Sequence, residues 1–430
     1  MKTEIARRIV AEWLEEHTFP PLIRRDSPPL RLQGLSEILA IVGPRRAGKT
    51  CFMDQLMNDL IQSGACGKED ILFVDFEDYR LMDFAPADVE SLLVAFNQLT
   101  GKSPTYLFFD EVQHLPGWSR VLRTLHNQKR FKIIISGSNS ELLSGEISTE
   151  LRGRYRDMLI LPFSFNEVLR FRNISFSKAT LLTPGRGRIL RVFDEYLRHG
   201  GFPEVLKRDS AAERKQLLQN YYRTIFYRDI LDRYNIKAKY VLEAMMRYCL
   251  NSYASLFSIS SFEKNLKATA LPGSKRTISN YLHYLCEAFF LIAHEKFSYS
   301  PRKRMMNPKK AYLLDVGFIS LAADFSENKG RLLENLVAIE LFRRQDGVFY
   351  YKDKGECDFV VKRGQSPSEA IQVCWQLHDQ NRNRELNGLA EAMSALKIKR
   401  GLIVSYDEER TLRHKGCSIE IIPAWKWLIQ

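Results

Sequence analysis

Residues 43–50 read Gly43-Pro44-Arg45-Arg46-Ala47-Gly48-Lys49-Thr50, with Cys51 next in the chain. This is a full G-x-x-x-x-G-K-[ST] pattern. It follows the apolar run Ile38–Val42 and precedes a helical stretch with Leu56, Met57 and Leu60 on one side. The glycines let backbone amides curl around phosphate oxygens, and the helix N-terminus adds its positive dipole. In such a loop the Lys49 ammonium reaches the β- and γ-phosphates of a nucleotide, and the Thr50 hydroxyl binds Mg²⁺. A plain glycine-rich turn is the bland alternative, and the complete motif between strand and helix outweighs it. Residues 43–51 are therefore the candidate nucleotide contacts.

Working outward, residues 106–109 form a second apolar run that ends in Asp110-Glu111. Asp110 is expected to hold Mg²⁺ through water, and Glu111 to polarise the attacking water. Further runs at 71–76, 132–136 and 158–161 alternate with helical patterns, which predicts a parallel α/β sheet over residues 1–165.

The composition sets bounds around this motif. The chain has 430 residues and a formal charge of 64 − 51 = +13. That length suggests two to four domains. A hydrophobic content of 45% with 27% charged residues excludes a disordered chain. No apolar run approaches the roughly 18 residues needed to cross a bilayer. Glu4, Glu12, Glu15 and Glu16 near the start are unlike a signal peptide, so a soluble, cytoplasmic protein without a membrane partner is expected. Seven cysteines with no CxxC pair argue for reduced thiols, and the scattered histidines argue against structural zinc. The pI near 9.3 is compatible with an anionic partner such as nucleic acid.

With the loop and the acid pair in place, the chain resembles the AAA+ ATPases. It looks most like the prokaryotic ATP-binding proteins that carry a nuclease-like C-terminal domain. The resemblance implies ATP and Mg²⁺ as ligands, an oligomer, and further site residues. A strand at 133–135 leads into Ser136-Gly137-Ser138-Asn139, which matches the sensor-1 position, with Ser138 and Asn139 as candidates. In the run Leu151-Arg152-Gly153-Arg154-Tyr155-Arg156, an arginine at this place completes a neighbour's site; Arg154 fits best and Arg152 second. Arg154 is expected on the far side of the sheet order from the loop. Gly200-Gly201-Phe202-Pro203 resembles the Gly-x-Pro that sets a helical lid (166–235) over the nucleotide, with Pro203 stiffening the backbone and Phe202 near the base.

Residues 236–310 look like a winged helix. Ser274 or Thr277 caps a helix whose Ile278, Leu282, Leu285 and Phe289 recur at helical spacing. Its start exposes Lys275, Arg276 and Asn280, residue types that reach phosphates and base edges. The following hairpin, with Arg302, Lys303, Arg304, Lys309 and Lys310, is the expected wing, and DNA the expected partner. Residues 311–430 resemble the PD-(D/E)XK endonucleases in order. Glu334 and Asp358 fit the metal-binding acids, but Gln372 stands where the second acid belongs and Cys374 where the lysine belongs. Glu356 shares a strand face with Asp358 and is a substitute acid. The departures imply a degenerate, non-cleaving domain. The whole predicts an α/β protein: AAA+ P-loop core, helical lid, winged helix and restriction-nuclease-like domain. Its expected function is Mg²⁺-dependent ATP hydrolysis coupled to DNA binding or remodelling. The rival readings are an ATP-dependent endonuclease and a signalling switch acting on a protein partner.

Overall fold

The structure is a computed structural model that describes residues 2–27, 30–138, 151, 153–177, 184–323, 328–345 and 347–429. The chain is an α/β protein that divides into two compact units, Met1–Pro162 and Phe163–Gln430.

In the first unit, five strands form a parallel sheet: β1 Ile38–Val42, β2 Ile71–Asp75, β3 Tyr106–Asp110, β4 Lys132–Gly137 and β5 Tyr155–Leu159, in the order β2-β3-β4-β1-β5. The inner strands read as unbroken apolar runs because both faces are covered. Alternation then sorts each strand to two sides. Ala40, Val42, Leu107, Phe109, Ile133 and Ile135 pack with Leu92 and Phe96 of helix Val89–Thr100. Leu39, Ile41, Tyr106, Phe108 and Ile134 pack with Phe52, Met53, Leu56, Met57 and Leu60 of helix Lys49–Gln62. Phe52 is 1% exposed, so Phe52→Ala would cost about 3–5 kcal/mol and loosen the helix that carries the loop. β5 begins three residues earlier than the apolar run at 158–161 suggested. Among the described residues it pairs only with β1, and an edge strand tolerates charged Arg156 and Asp157.

The second unit opens with helix Phe165–Phe171, started by Ser164 accepting from the Glu167 backbone N–H. Helices Gly185–His199 and Ala211–Thr224 follow. Its mixed sheet has nine strands: β6 Ser255–Phe257, β7 Leu291–Lys296, β8 Lys309–Leu313, β9 Gly347–Lys352, β10 Glu356–Arg363, β11 Ser366–Val373, β12 Arg400–Ser405, β13 Arg410–His414 and β14 Cys417–Pro423. They lie in the order β13-β14-β12-β11-β10-β9-β7-β8-β6. β7 pairs in parallel with β9, so residues expected to form a winged helix and a nuclease-like domain share one sheet, and the boundary drawn at 310/311 falls inside β8. β13 and β14 escape sequence reading because Arg410-Thr-Leu-Arg-His414 is a polar edge and β14 alternates polar with apolar residues.

The expected wing is a different object. β7 and β8 do pair antiparallel, but the basic run between them is the helix Pro301–Met306. Ser300 accepts from the Lys303 N–H and Pro301 takes the first helical position, a start signal that reads as loop punctuation when the basic residues are weighed alone.

Candidate functional site

β1 ends at Val42, and the chain turns through residues 43–48 into helix Lys49–Gln62. Gly43 has φ +156°, and a Cβ there would lie 1.9 Å from the Ile160 carbonyl oxygen, so no other residue fits beside β5. Gly48, at φ +94°, is in the left-handed region and launches the helix. The loop is braced from outside the motif by Arg25, which is 8% exposed. Its guanidinium donates to the Ala47 carbonyl at 2.8 Å and to that of Leu161, while its backbone N–H donates to Gln55.

Lys49, 4% exposed, donates to the carbonyls of Gly43 and Pro44 at 3.2 Å each and lies 3.5 Å from Glu111 Oε1. Burial pushes its pKa below the usual lysine value despite Glu111 and Asp110 nearby. The Thr50 hydroxyl donates to Asp110 Oδ2 at 2.6 Å, and the Ser136 hydroxyl to Asp110 Oδ1. Burial raises the Asp110 pKa, against the hydrogen bonds from Ser136 and Thr50. Asp75, in register with Asp110 across β2 and β3, is pushed up to about 6 by burial and by the neighbouring carboxylates. This crowd of oxygen donors carries negative charge that the protein leaves only partly offset, the chemistry that suits Mg²⁺ held by one or two carboxylates and phosphate oxygens. Thr50 and Asp110 would hold the ion.

Glu111 follows β3 at φ +47°, a left-handed conformation that costs a non-glycine residue energy and aims its carboxylate at Lys49. Burial works against its charge, but Lys49, Gln113, Arg45 and Ser138 outweigh it, so its pKa is lowered and it stays ionised. Gln113 Nε2 donates to Glu111 Oε2, while Gln113 Oε1 is buried with no hydrogen-bond partner among the described residues. Sequence reasoning missed Arg25, Asp75 and Gln113, and it gave Ser136, inside the sensor-1 stretch, no role of its own; the structure places the Ser136 hydroxyl on Asp110.

Ser138, one of two sensor candidates, hydrogen-bonds Glu111; Asn139 lies outside the described residues, as does Arg152. Arg154 precedes β5, and its carbonyl accepts from the N–H of Ile38 at the start of β1. β5 is next to β1, not across the sheet from it, so the expected position in the sheet order is corrected. What separates Arg154 from Lys49 is strand direction: the two lie at opposite ends of paired parallel strands, roughly 15 Å apart at about 3.3 Å per residue.

In the second unit, Phe202 is 2% exposed and packs against Tyr221 and Phe318, so its ring is core, not a cover for a base. Pro203 starts the short helix Pro203–Leu206, and the Gly201 N–H donates to buried Asp315. Ser274, rather than Thr277, caps helix Lys275–Glu287, whose first turns expose Lys275, Arg276 and Asn280. Arg302 and Lys303 are exposed beside Tyr299, Met305 and Met306; Arg304 is partly engaged by Glu295 and the Ser298 carbonyl.

The nuclease-like residues divide. Glu334, from helix Lys329–Arg343, meets Asp358 and Glu356 of β10 around the Lys310 ammonium, at 2.8, 2.9 and 3.2 Å. Lys310 was expected in the exposed wing and is instead 4% exposed. Burial opposes its charge, but Asp358, Glu334 and Glu356 raise its pKa well above the lysine value. Gln372 accepts from the Asp358 N–H and donates to Glu385 at 2.6 Å. Cys374 leaves the group: its side chain packs with Cys357, Val360, Leu386 and Leu389, and burial pushes its thiol up to about 12.

Comparison with known proteins places this geometry. The uncharacterized protein MJ1544 of Methanocaldococcus jannaschii is 36% identical over 403 residues, covering 91% of this chain and 88% of its own. The chain belongs to the MJ1544 family. A Haemophilus influenzae protein is 28% identical over 395 residues, covering 91% of this chain and 94% of its own. In this member of the family, residues 35–169 match an AAA domain, so the loop and the Asp110-Glu111 pair lie in a P-loop ATPase domain. Residues 190–329 and 329–427 match domains of unknown function, DUF8612 and DUF4143. The Walker-type ATPase paby2304 of Pyrococcus abyssi aligns with a TM-score of 0.43 at 13% identity, covering 74% of this chain and 94% of that one. Among the described residues, no helix is long and apolar enough to cross a membrane.

Proposed function

We propose that the protein is a Mg²⁺-dependent ATPase that couples ATP binding and hydrolysis to binding or remodelling DNA. The observation that carries the hydrolysis is the placement of Lys49, Thr50, Asp110 and Glu111 around one point at the end of β1 and β3. When bound, Mg²⁺ neutralises charge on the phosphates. Lys49 exchanges the Gly43 and Pro44 carbonyls for phosphate oxygens, and Glu111 accepts a proton from the attacking water. The free Gln113 Oε1 is an acceptor that helps orient that water. Arg154 acts in trans on a neighbouring copy, because its own loop is at the other end of the sheet. Mixing Arg154→Ala with Lys49→Ala protein should then restore activity that neither has alone; a monomer that turns over at every concentration overturns this.

DNA enters through the second unit. A helix, a strand, two helices and two strands joined by the helix Pro301–Met306 follow one another from residue 239 to 313, and β6 and β7 each pair antiparallel with β8, an order close to that of a winged helix. Helix Lys275–Glu287 presents Lys275, Arg276 and Asn280, and the helix Pro301–Met306 between β7 and β8 presents Arg302 and Lys303. Those surfaces support phosphate-backbone contact. The rest of the second unit serves as a non-cleaving platform. One assay tests the reading: ATP turnover with no nucleic acid, single strands, duplex and branched DNA. Stimulation by one form supports it. Slow turnover indifferent to all of them favours a switch acting on a protein partner.

A further inference from the structure

The resemblance of the C-terminal region to metal-dependent nucleases implies a divalent cation among Glu334, Glu356 and Asp358, and the residues present do not fit one. The place between the three carboxylates is filled. The Lys310 ammonium, delivered by β8, stands 2.8 Å from Glu334, 2.9 Å from Asp358 and 3.2 Å from Glu356. An ammonium has three hydrogens and no lone pair, so each carboxylate matches one donor. The carboxylates also have further donors: Tyr312 OH to Glu334 at 2.8 Å, Lys352 to Glu356 at 3.1 Å and the Val373 N–H to Asp358 at 3.0 Å. Among the described residues, no group of His, Cys, Asp and Glu is arranged to hold a metal ion by itself. Lys310 is 4% exposed, so a divalent ion would have to enter beside a fixed, buried positive charge.

We propose that Lys310 is the resident cation of this cluster: it takes the position of a divalent ion, holds helix Lys329–Arg343 to β10, and closes the site to Mg²⁺ and Mn²⁺. This goes beyond the ATPase reading and does not depend on it. Removing the ammonium leaves three carboxylates facing one another and turns the cluster into a cation site.

The test is Mn²⁺ binding followed by electron paramagnetic resonance, on the full-length chain carrying Asp110→Asn so that the nucleotide site contributes nothing. With Lys310 present, no Mn²⁺ binding that depends on Asp358 is expected up to about 1 mM, the weak end of carboxylate sites. Lys310→Ala should gain one Mn²⁺ per chain, about tenfold or more tighter than that limit, and lose it when Asp358→Asn is added. Lys310→Met, which keeps the apolar stem, serves if the alanine variant does not fold, and Mn²⁺ should raise its melting temperature. One Mn²⁺ bound in the Lys310 protein and lost in Asp358→Asn overturns the proposal, whatever the fate of the lysine variants. Folded Lys310→Ala or Lys310→Met protein that takes up no Mn²⁺ overturns it as well.

Discussion

Two lysines, Lys49 and Lys310, are buried to the same 4% exposure, each facing acids, yet the fold holds them in opposite states. Lys49 rests on two backbone carbonyls and one carboxylate at 3.5 Å, and burial depresses its pKa. Lys310 is matched by three carboxylates within 3.2 Å, and they raise its pKa well above the lysine value. Burial alone therefore says little about what a lysine does; the charge and closeness of its partners do. An ammonium held mainly by neutral carbonyls is ready for an anionic ligand, whereas one matched by three carboxylates is part of the framework.

The sharpest way to break this contrast is at the ATP site. Lys49→Ala should abolish hydrolysis. Glu111→Gln should retain nucleotide and slow turnover by about 10²–10⁴-fold, since it removes only the water's base. Equal turnover by wild type and both variants, in protein free of other ATPases, would end the enzyme reading.

Stability should separate the two lysines next. Lys310→Met strands three carboxylates and should cost about 3–5 kcal/mol in denaturant unfolding. Lys49→Met strands one buried carboxylate, Glu111 at 3.5 Å, and should cost clearly less than Lys310→Met. Similar losses for the two would mean that Lys49 is as firmly partnered as Lys310.

The basic surface should respond more weakly and only to DNA. Replacing Arg302, Lys303 and Arg304 with Ala should lower affinity for all duplex sequences alike, with the log–log salt slope falling by about 0.9 for each phosphate no longer neutralised. Arg304 is engaged by Glu295, so it should contribute least of the three. Unchanged affinity and slope would shift the reading to a protein partner.

The smallest effect concerns Asp75. Its pKa of about 6 lies above the unfolded value, so the folded state binds its proton more tightly, and the ionised form destabilises the fold at neutral pH. Asp75→Asn should therefore stabilise nucleotide-free protein at pH 7.5 by about 1 kcal/mol, the figure being discounted because the group is partly exposed. The gain should fade as pH falls from 6 towards 4, where wild type takes up the proton. Melting temperatures across that range would check both the sign and the window.

What the amino-acid sequence determined by itself is the local chemistry. Residues 43–50 and the Asp110-Glu111 pair each lie within a few residues of one another, so the order of residues almost dictates the geometry. The inner strands were legible for a related reason: a strand covered on both faces must be apolar throughout. The tertiary structure alone decided what arrives from elsewhere. Arg25, Asp75 and Ser136 reach the nucleotide site through chain reversal and sheet register, and their spacing carries no periodic signal. Lys310 shows the limit most plainly. In a run of basic residues it looks like surface, but Lys309 and Lys310 open a strand and so point to opposite sides. Lys309 meets Glu295, and Lys310 meets Glu334, Glu356 and Asp358, the last two 46 and 48 residues further on. A one-residue step reverses the face of a strand, and only the folded sheet shows what lies on each.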